Sequence, residues 1–198
     1  ALLLASVHLC AVEYTLVAMM LLSLDYWTVV AAVVISPVER AITRWYYNDA
    51  KRRLRAMPHL KIIGITGSFG KTSTKHFLYR LLSERYNVLM TPGNFNTTLG
   101  VVRTIREHLK PHHEVFIVEM GAKQRGDIKE ICDLVSPDMG IVTSVGEMHL
   151  ETFGSVESVA RTKFELIEAL PEGGFGVVNI DSEAAMRYIV ESGIKVNT

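Results

Sequence analysis

The pattern of apolar and polar positions divides the chain into three stretches, of which the first is almost uniformly apolar. Residues 1–35 are dominated by Leu, Val, Ala and Met and are interrupted by His8, Glu13 and Asp25. This run is longer than the about 20 apolar residues that cross a bilayer. We therefore predict a transmembrane segment over residues 1–36, as one span or as parts of two. A buried helix pair in a soluble protein is the alternative.

The second stretch, residues 37–59, mixes apolar positions with many basic ones. Pro37 closes the apolar run, and Val38 to Met57 has the pattern of an amphipathic helix rich in Arg and Lys. Basic residues beside a membrane segment favour the cytoplasmic side, and an amphipathic helix with Trp and Tyr suits the headgroup layer. We interpret this stretch as a basic amphipathic linker helix that anchors the domain behind it. A solvated linker helix is the alternative.

The third stretch, residues 60–198, alternates short apolar runs with helical patterns. This alternation predicts an α/β domain with a mostly parallel sheet and helices on both faces. The predicted strands are Lys61 to Thr66, Val88 to Thr91, Val115 to Glu119, Gly140 to Ser144 and Phe175 to Asn179. The predicted helices are Lys71 to Glu84, Gly100 to His108, Asp127 to Leu134, Val156 to Leu170 and Ser182 to Glu191.

Composition restricts the class of protein. The 198 residues carry a formal net charge of zero, which argues against a general nucleic-acid binder. Cys10 and Cys132 lie far apart in sequence, so free thiols in a reducing compartment are favoured over a disulfide. The chain starts at Ala1 rather than Met and ends in the pattern of an opening strand. We therefore expect a piece of a longer protein.

The stretch from Leu60 to Ser73 predicts a phosphate-binding loop between a strand and a helix. Gly67 and Gly70 free the backbone to curl, so that N–H groups and the positive end of the helix face phosphate oxygens. Lys71 would then bridge the terminal phosphates, and Thr72 would hold Mg²⁺.

The loop departs from the usual phosphate-loop spacing. Ile65 occupies the position five residues before Gly70, where the usual motif has glycine. A tight strand-to-helix turn with a surface lysine is the alternative. The coincidence of an apolar strand, two glycines, Gly-Lys-Thr and a helical continuation favours nucleotide binding.

Three residues further along the chain are candidates for the same site, because ligands in such sheets bind at the carboxyl ends of the strands. Glu119 ends the run VFIVE, where a carboxylate beside phosphates can bind Mg²⁺. His149 follows the next strand, and Lys163 lies in the helix after it. Each also has an ordinary interpretation when taken alone: a capping glutamate, a surface histidine and a solvated lysine.

Five segments occur together in an order typical of one enzyme family. They are TGSFGKTS, GNFNTTLG, VEMGA, HLETFG with a lysine fourteen residues after its histidine, and VNIDS. Over about Leu60 to Glu183 the chain therefore resembles the ATP-binding central domain of the Mur ligases, which build peptidoglycan precursors. The short glycine loop is the form that this family uses.

The resemblance implies which residues bind ATP and its metal ions. Lys71 would contact the phosphates, and Thr72 with Glu119 would hold the Mg²⁺ shared with ATP. Glu119, His149 and Lys163 would surround a second Mg²⁺. In this family the lysine that matches Lys163 is carbamylated, and a carbamate presents carboxylate-like oxygens to the metal. The implied nucleotide-binding residues are Gly67, Ser68, Gly70, Lys71, Thr72, Ser73 and Asn179, the last at the adenine.

The resemblance also implies the substrates and the reaction. The enzyme would join a dipeptide, D-alanyl-D-alanine, to a UDP-muramoyl-peptide through an acyl phosphate, without a nucleophilic Ser or Cys. The segment that looks like the contact region for the muramoyl peptide contains Asn94, Asn96, Thr97 and Thr98. A ligase that extends polyglutamate is one alternative. A membrane-tethered nucleotide switch without ligase activity is another.

Two departures from the family pattern affect the expected substrates. An apolar segment precedes the central domain, where the family carries a uridine-nucleotide-binding domain, so a lipid-linked acceptor is an alternative. The C-terminal domain that closes over ATP is missing from the chain, so we expect it to turn over little by itself. We place the catalytic domain on the cytoplasmic side of a bacterial cytoplasmic membrane.

Overall fold

The computed structural model describes residues 2–147 and 150–192, which form two compact units that divide after Trp45. Helix α1, Leu2–Arg55, is continuous through Pro37. The expected helix start at Val38 is therefore wrong. Proline removes one backbone hydrogen bond, but both flanks are long enough to stay helical without it. In the first unit the side chains of Tyr14, Trp27 and Val33 are exposed.

The second unit is an α/β domain with a fully parallel five-stranded sheet over the described residues. The strand order is β2-β3-β1-β4-β5. This arrangement confirms the predicted fold class. The strands are β1 Lys61–Thr66, β2 Val88–Met90, β3 Val115–Glu119, β4 Met139–Val142 and β5 Phe175–Val178. The helices that follow them are α2 Lys71–Leu82, α3 Thr98–His108, α4 Asp127–Val135, α5 Leu150–Phe153, α6 Val156–Glu168 and α7 Glu183–Ser192.

The two faces of the sheet carry separate apolar layers, because successive residues of a strand point to opposite faces. On one face, Ile65 and Ile117 pack beneath α2, which contributes Leu78 and Leu82. On the other face, Phe116 and its neighbours pack against α3, α4, α6 and α7. The central strands β1 and β3 are thus covered on both sides, and their carboxyl ends are held in place.

The last turns of α1 belong to the second unit, which begins at Tyr46. Ala50 and Leu54 are buried in the larger apolar layer. Asp49 accepts hydrogen bonds at 3.1 Å from the Nε atoms of Arg53 and Arg106. The α/β unit therefore includes a helical segment upstream of Leu60, where the sequence pattern placed the start of the ATP-binding domain.

Candidate active site

The phosphate loop, Gly67 to Gly70, connects β1 to α2 and is clamped by the end of β4. Ser68 N–H donates to the Ser144 carbonyl at 2.8 Å, and Phe69 N–H donates to Ser144 Oγ at 2.9 Å. Gly67 has φ +148°, and a Cβ there would lie 2.0 Å from Thr143 Oγ1. The loop therefore keeps its shape only with glycine at this position.

Helix α2 begins at the end of this loop with Lys71. Its N-cap, Gly70, has φ +82° and makes no side-chain cap, so the first N–H groups of the helix are available to an anion. Lys71 Nζ donates to the carbonyls of Gly67 at 2.7 Å and Ser68 at 3.2 Å. Burial lowers the pKa of Lys71, and the nearby Glu119 carboxylate opposes that shift. The ammonium thus lies directly at the loop.

Thr72 and Glu119 meet across the gap between α2 and the end of β3. The Thr72 hydroxyl donates to the two carboxylate oxygens of Glu119 at 3.2 Å each, and Glu119 is 2% exposed. Neighbouring oxygen ligands of an octahedral Mg²⁺ lie about 3 Å apart, because each Mg–O bond is about 2.1 Å long. The spacing and chemistry of these oxygens therefore fit a magnesium ion.

Lys75 is a charged residue of this site that the sequence analysis did not single out. Its side chain is fully buried, and Nζ lies 2.8 Å from Glu119 Oε2. One signal was available in the sequence. Lys75 stands three, four and seven positions before Leu78, Tyr79 and Leu82, which form the inward stripe of α2. A lysine on such a stripe needs a buried anion as its partner.

Lys163 approaches from α6 on the other side of the cleft. It is 4% exposed, between the buried residues Thr162 and Phe164. Burial, together with the positive charge of Lys71, lowers the pKa of Lys163 to about 8, whereas Asp127 and Glu165 oppose the shift. Lys163 is therefore a core-facing lysine rather than a solvated one.

An open cleft of about 360 Å³ brings these segments together. It contains the phosphate loop and Lys71 on one side and Lys163 on the other. Between them lie three of the predicted acceptor contacts. The lining residues are Gly67, Ser68, Lys71, Asn96, Thr97, Thr98, Gly121, Ala122, Lys123, Asp127, Ile131, Phe153, Val159 and Lys163.

Residues 65–198 match the family described as Mur ligase middle domain. The chain belongs to the Mur ligase family. It is 34% identical over 140 residues to the UDP-N-acetylmuramoyl-tripeptide–D-alanyl-D-alanine ligase of Escherichia coli K12. The aligned region covers 71% of this chain and 31% of that relative. The ligase of the same name from Mycobacterium tuberculosis H37Rv is 42% identical over 125 residues, which is 63% of this chain and 24% of that protein.

The fold of this Mur ligase domain is also similar to that of a solved Mur ligase structure. The MurF ligase of Thermotoga maritima, in complex with ADP, superimposes with a TM-score of 0.69 at 34% identity. The match covers 75% of this chain and 34% of the solved chain. This chain therefore spans roughly a quarter to a third of the length of these relatives.

The acceptor segment of the Mur ligase domain has structural contacts of its own. Thr97 caps α3 by accepting from Gly100 N–H at 3.3 Å, and the Thr98 hydroxyl donates to Glu130 Oε2 at 2.8 Å. Asn96 Nδ2 lies 3.5 Å from Glu119 Oε1. Asn94 is exposed and does not line the cleft. Of the predicted acceptor residues, Asn96 is therefore the one that touches the carboxylate.

Two other predicted residues stand apart from the cleft, and a third cannot be placed. Asn179 is exposed at the end of β5, and its side-chain oxygen accepts from Asp181 N–H at 3.0 Å. Ser73 is exposed on α2. His149 lies outside the described residues, so the second metal set remains a prediction. No group of three His, Cys, Asp or Glu side chains suited to a metal occurs among the described residues.

The structure also adds carboxylates that hold the mouth of the cleft together. Asp127 Oδ2 accepts from the N–H groups of Lys123 and Gln124 at 2.8 and 3.0 Å. Glu165 accepts from Gly126 N–H and Lys129 N–H at 2.9 Å each and so caps the start of α4 from α6. Sequence spacing does not reveal these contacts, since Glu165 and Gly126 are 39 residues apart.

Proposed function

We propose that the complete gene product is an ATP-dependent peptide ligase that adds D-alanyl-D-alanine to a UDP-muramoyl-tripeptide. The observation that carries this proposal is one cleft lined by the phosphate loop, Asn96 and the buried Lys163. The Thr72–Glu119 pair adjoins this cleft through the contact of Glu119 with Asn96. The similarity to ligases of that name supports the choice of substrates. The ADP complex of the Thermotoga maritima neighbour supports the choice of nucleotide.

Each part of the cleft has a task in such a reaction. The loop and the start of α2 bind the phosphates of ATP through backbone N–H groups, and Lys71 neutralises their charge. Thr72 and Glu119 hold one Mg²⁺, while Glu119, His149 and a carbamylated Lys163 hold a second. These ions supply electrostatic stabilisation of the transferring phosphoryl group.

The reaction proceeds in two balanced steps. The terminal carboxylate of the acceptor peptide attacks the γ-phosphorus of ATP, which gives an acyl phosphate and releases ADP. The dipeptide amine then attacks the acyl carbon, and orthophosphate leaves as the amide forms with loss of a proton from nitrogen. Positioning and charge neutralisation carry both steps, so the site needs no side-chain nucleophile.

The test of this function is coupled release of orthophosphate. The complete gene product is incubated with ATP, Mg²⁺, UDP-muramoyl-tripeptide and D-alanyl-D-alanine, and each component is omitted in turn. We expect phosphate release and new peptide only when acceptor and amine are both present. Hydrolysis of ATP without either substrate indicates a nucleotide switch and contradicts the ligase assignment. Turnover with glutamate and a glutamyl acceptor instead indicates the polyglutamate class.

We also propose that residues 1–36 place this ligase at the cytoplasmic face of a bacterial membrane. Among the described residues, one helix is long and apolar enough to span a bilayer, and its apolar window is unburied. The basic residues that follow favour the cytoplasmic side for the catalytic domain. Deletion of residues 1–36 is expected to move the protein from the carbonate-washed membrane fraction to the supernatant. Persistence of the deleted protein in the membrane contradicts the anchor.

A further inference from the structure

Lys75 places a buried ammonium between two parts of the site. It lies one helical turn after Lys71 on α2 and is 0% exposed. Its Nζ pairs with Glu119 Oε2 at 2.8 Å and donates to the carbonyl of Gly93 at 2.7 Å. A buried ammonium is costly unless it is charge-paired and hydrogen-bonded, so these two contacts determine where Lys75 lies.

The carboxylate of Glu119 is held mainly by this contact. Thr72 donates to both oxygens at 3.2 Å, and Asn96 Nδ2 lies 3.5 Å from Oε1. The Glu119 backbone N–H donates to Thr91 Oγ1 at 3.1 Å and so fixes the main chain. The ammonium contact is the shortest of the side-chain contacts and joins two full charges. Lys75 therefore sets the rotation of the carboxylate, with Oε2 at the ammonium, Oε1 toward Asn96 and the Thr72 hydroxyl between the two oxygens.

The second contact of Lys75 reaches the 92–97 loop, which runs from Pro92 to Thr97. Phe95 N–H donates to the Pro92 carbonyl at 3.0 Å and closes a turn around Gly93. At the other end of the loop, the Asn96 carbonyl accepts from Gly121 N–H at 2.7 Å, just beyond β3. One ammonium thus joins the phosphate helix, the candidate metal ligand and the loop of the predicted acceptor contacts.

We propose that Lys75 is a positioning residue that orients Glu119 for Mg²⁺ and holds the 92–97 loop in its acceptor-binding conformation. It acts through Glu119 and Gly93 rather than by touching the reacting atoms. Partners that orient a metal-binding carboxylate affect metal affinity strongly even though they do not bind the metal. The metal part rests on the magnesium role of Glu119, and the acceptor part rests on the proposed ligase function.

The first experiment measures metal-dependent nucleotide binding in the complete gene product. A fluorescent ATP analogue is titrated at increasing Mg²⁺ concentrations with the wild type, with Lys75→Met and with Arg80→Met. Arg80 is an exposed cation of the same helix, so its variant loses the same charge without losing the contacts. We expect the half-saturating Mg²⁺ concentration to rise roughly 10- to 100-fold for Lys75→Met and to stay unchanged for Arg80→Met.

A double-variant cycle separates positioning from simple stabilisation of the fold. If Lys75 acts through Glu119, the Lys75→Met change adds no further shift in Mg²⁺ dependence once Glu119→Gln is present. Independent, additive shifts contradict the proposal. An unchanged Mg²⁺ dependence in folded Lys75→Met protein overturns it, because a purely structural lysine lowers only the melting temperature.

A conservative variant keeps the proposal testable if Lys75→Met does not fold. Lys75→Arg retains the charge but presents a planar fork in place of a point charge. We expect it to fold and to raise the half-saturating Mg²⁺ concentration relative to the wild type, by less than roughly 10-fold. A Lys75→Arg protein with wild-type Mg²⁺ dependence contradicts the proposal.

The second experiment tests the link to the acceptor in the ligase assay. We expect Lys75→Met to raise KM for UDP-muramoyl-tripeptide several-fold and to leave KM for D-alanyl-D-alanine unchanged. Equal changes in both constants contradict a specific role for the 92–97 loop. If the wild type forms no peptide but the Mg²⁺ shift in nucleotide binding is present, the ligase assignment fails while the metal-positioning role of Lys75 stands.

Discussion

The centre of the sheet and its β5 edge both end in a predicted functional residue, but they differ sharply in burial. Every residue of β3 is buried, and β3 ends in Glu119. In β5, Phe175 is 50% exposed and Val177 is 42% exposed, and the strand leads into the exposed Asn179. Among the described strands β3 has two neighbours, whereas β5 pairs with β4 alone.

This difference teaches how each residue obtains its orientation. Glu119 is oriented before any ligand binds, since Thr72, Lys75 and Thr91 contact its side chain or main chain. Asn179 has its side chain tied to the neighbouring backbone at Asp181 and is otherwise open to solvent. We therefore expect changes at the centre to affect chemistry and stability strongly, and changes at the edge to affect mainly nucleotide affinity.

The largest effect is expected for Glu119→Gln in the complete gene product. Loss of a residue that only orients a metal ligand typically lowers metal affinity or activity about 10- to 100-fold. If Glu119 binds Mg²⁺ as we propose, loss of its charge is expected to lower turnover by more than roughly 100-fold. The measurement is the rate of acceptor-dependent phosphate release. Glu114→Gln is the control, because Glu114 lies just before the opposite end of β3 and accepts from Asn87 N–H. Similar rates for the two variants contradict the central role of Glu119.

Core truncation is expected to separate the two regions by stability. Ile117→Ala removes a fully buried side chain of β3 and is expected to lower the free energy of unfolding by about 2–5 kcal/mol. Val177→Ala on the half-exposed β5 is expected to cost less than about 1 kcal/mol. Urea titrations followed by circular dichroism measure both. Equal losses would show that β5 is buried in the complete protein.

Glycine substitutions compare the rigidity of the phosphate loop with that of the turn before the edge strand β5. Gly67→Ala combines a positive φ with a Cβ 2.0 Å from Thr143 Oγ1, so we expect a loss of about 2–4 kcal/mol and loss of nucleotide binding. Gly173, before β5, has φ +84° and open space around it. Gly173→Ala is therefore expected to lower the free energy of unfolding by about 1–2 kcal/mol through backbone strain alone. Thermal unfolding and nucleotide titration provide the comparison. Normal nucleotide binding by folded Gly67→Ala contradicts a rigid loop.

The smallest effect is expected for Asn179→Ala at the edge. If Asn179 contacts adenine, as the family resemblance implies, loss of that hydrogen bond removes about 0.5–1.5 kcal/mol and is expected to raise KM for ATP roughly 2- to 13-fold. The turnover number and KM for the dipeptide are expected to stay unchanged, because the side chain does not line the cleft. Steady-state kinetics with varied ATP measure this. A fall in turnover with constant KM for ATP contradicts the assignment to adenine.

Prediction from sequence succeeded where the signal was local. The bounds of β1 and β3 agree with the prediction because both strands are short apolar runs with clear ends. The short helix α5, Leu150–Phe153, was missed because four residues carry too little periodic signal. The continuation of α1 through Pro37 was missed because a single lost hydrogen bond does not decide a long helix.

The amino-acid sequence by itself determined the alternation of strands and helices, the glycine loop and the types of side chain available for binding ATP. These features depend on residues that are close together in sequence, so local sequence patterns predict them. The tertiary structure alone decided the strand order that brings Glu119 to Thr72 across 47 positions. It also decided that Lys75 turns inward to that carboxylate, because a buried lysine is tolerated only where distant packing supplies its counter-charge.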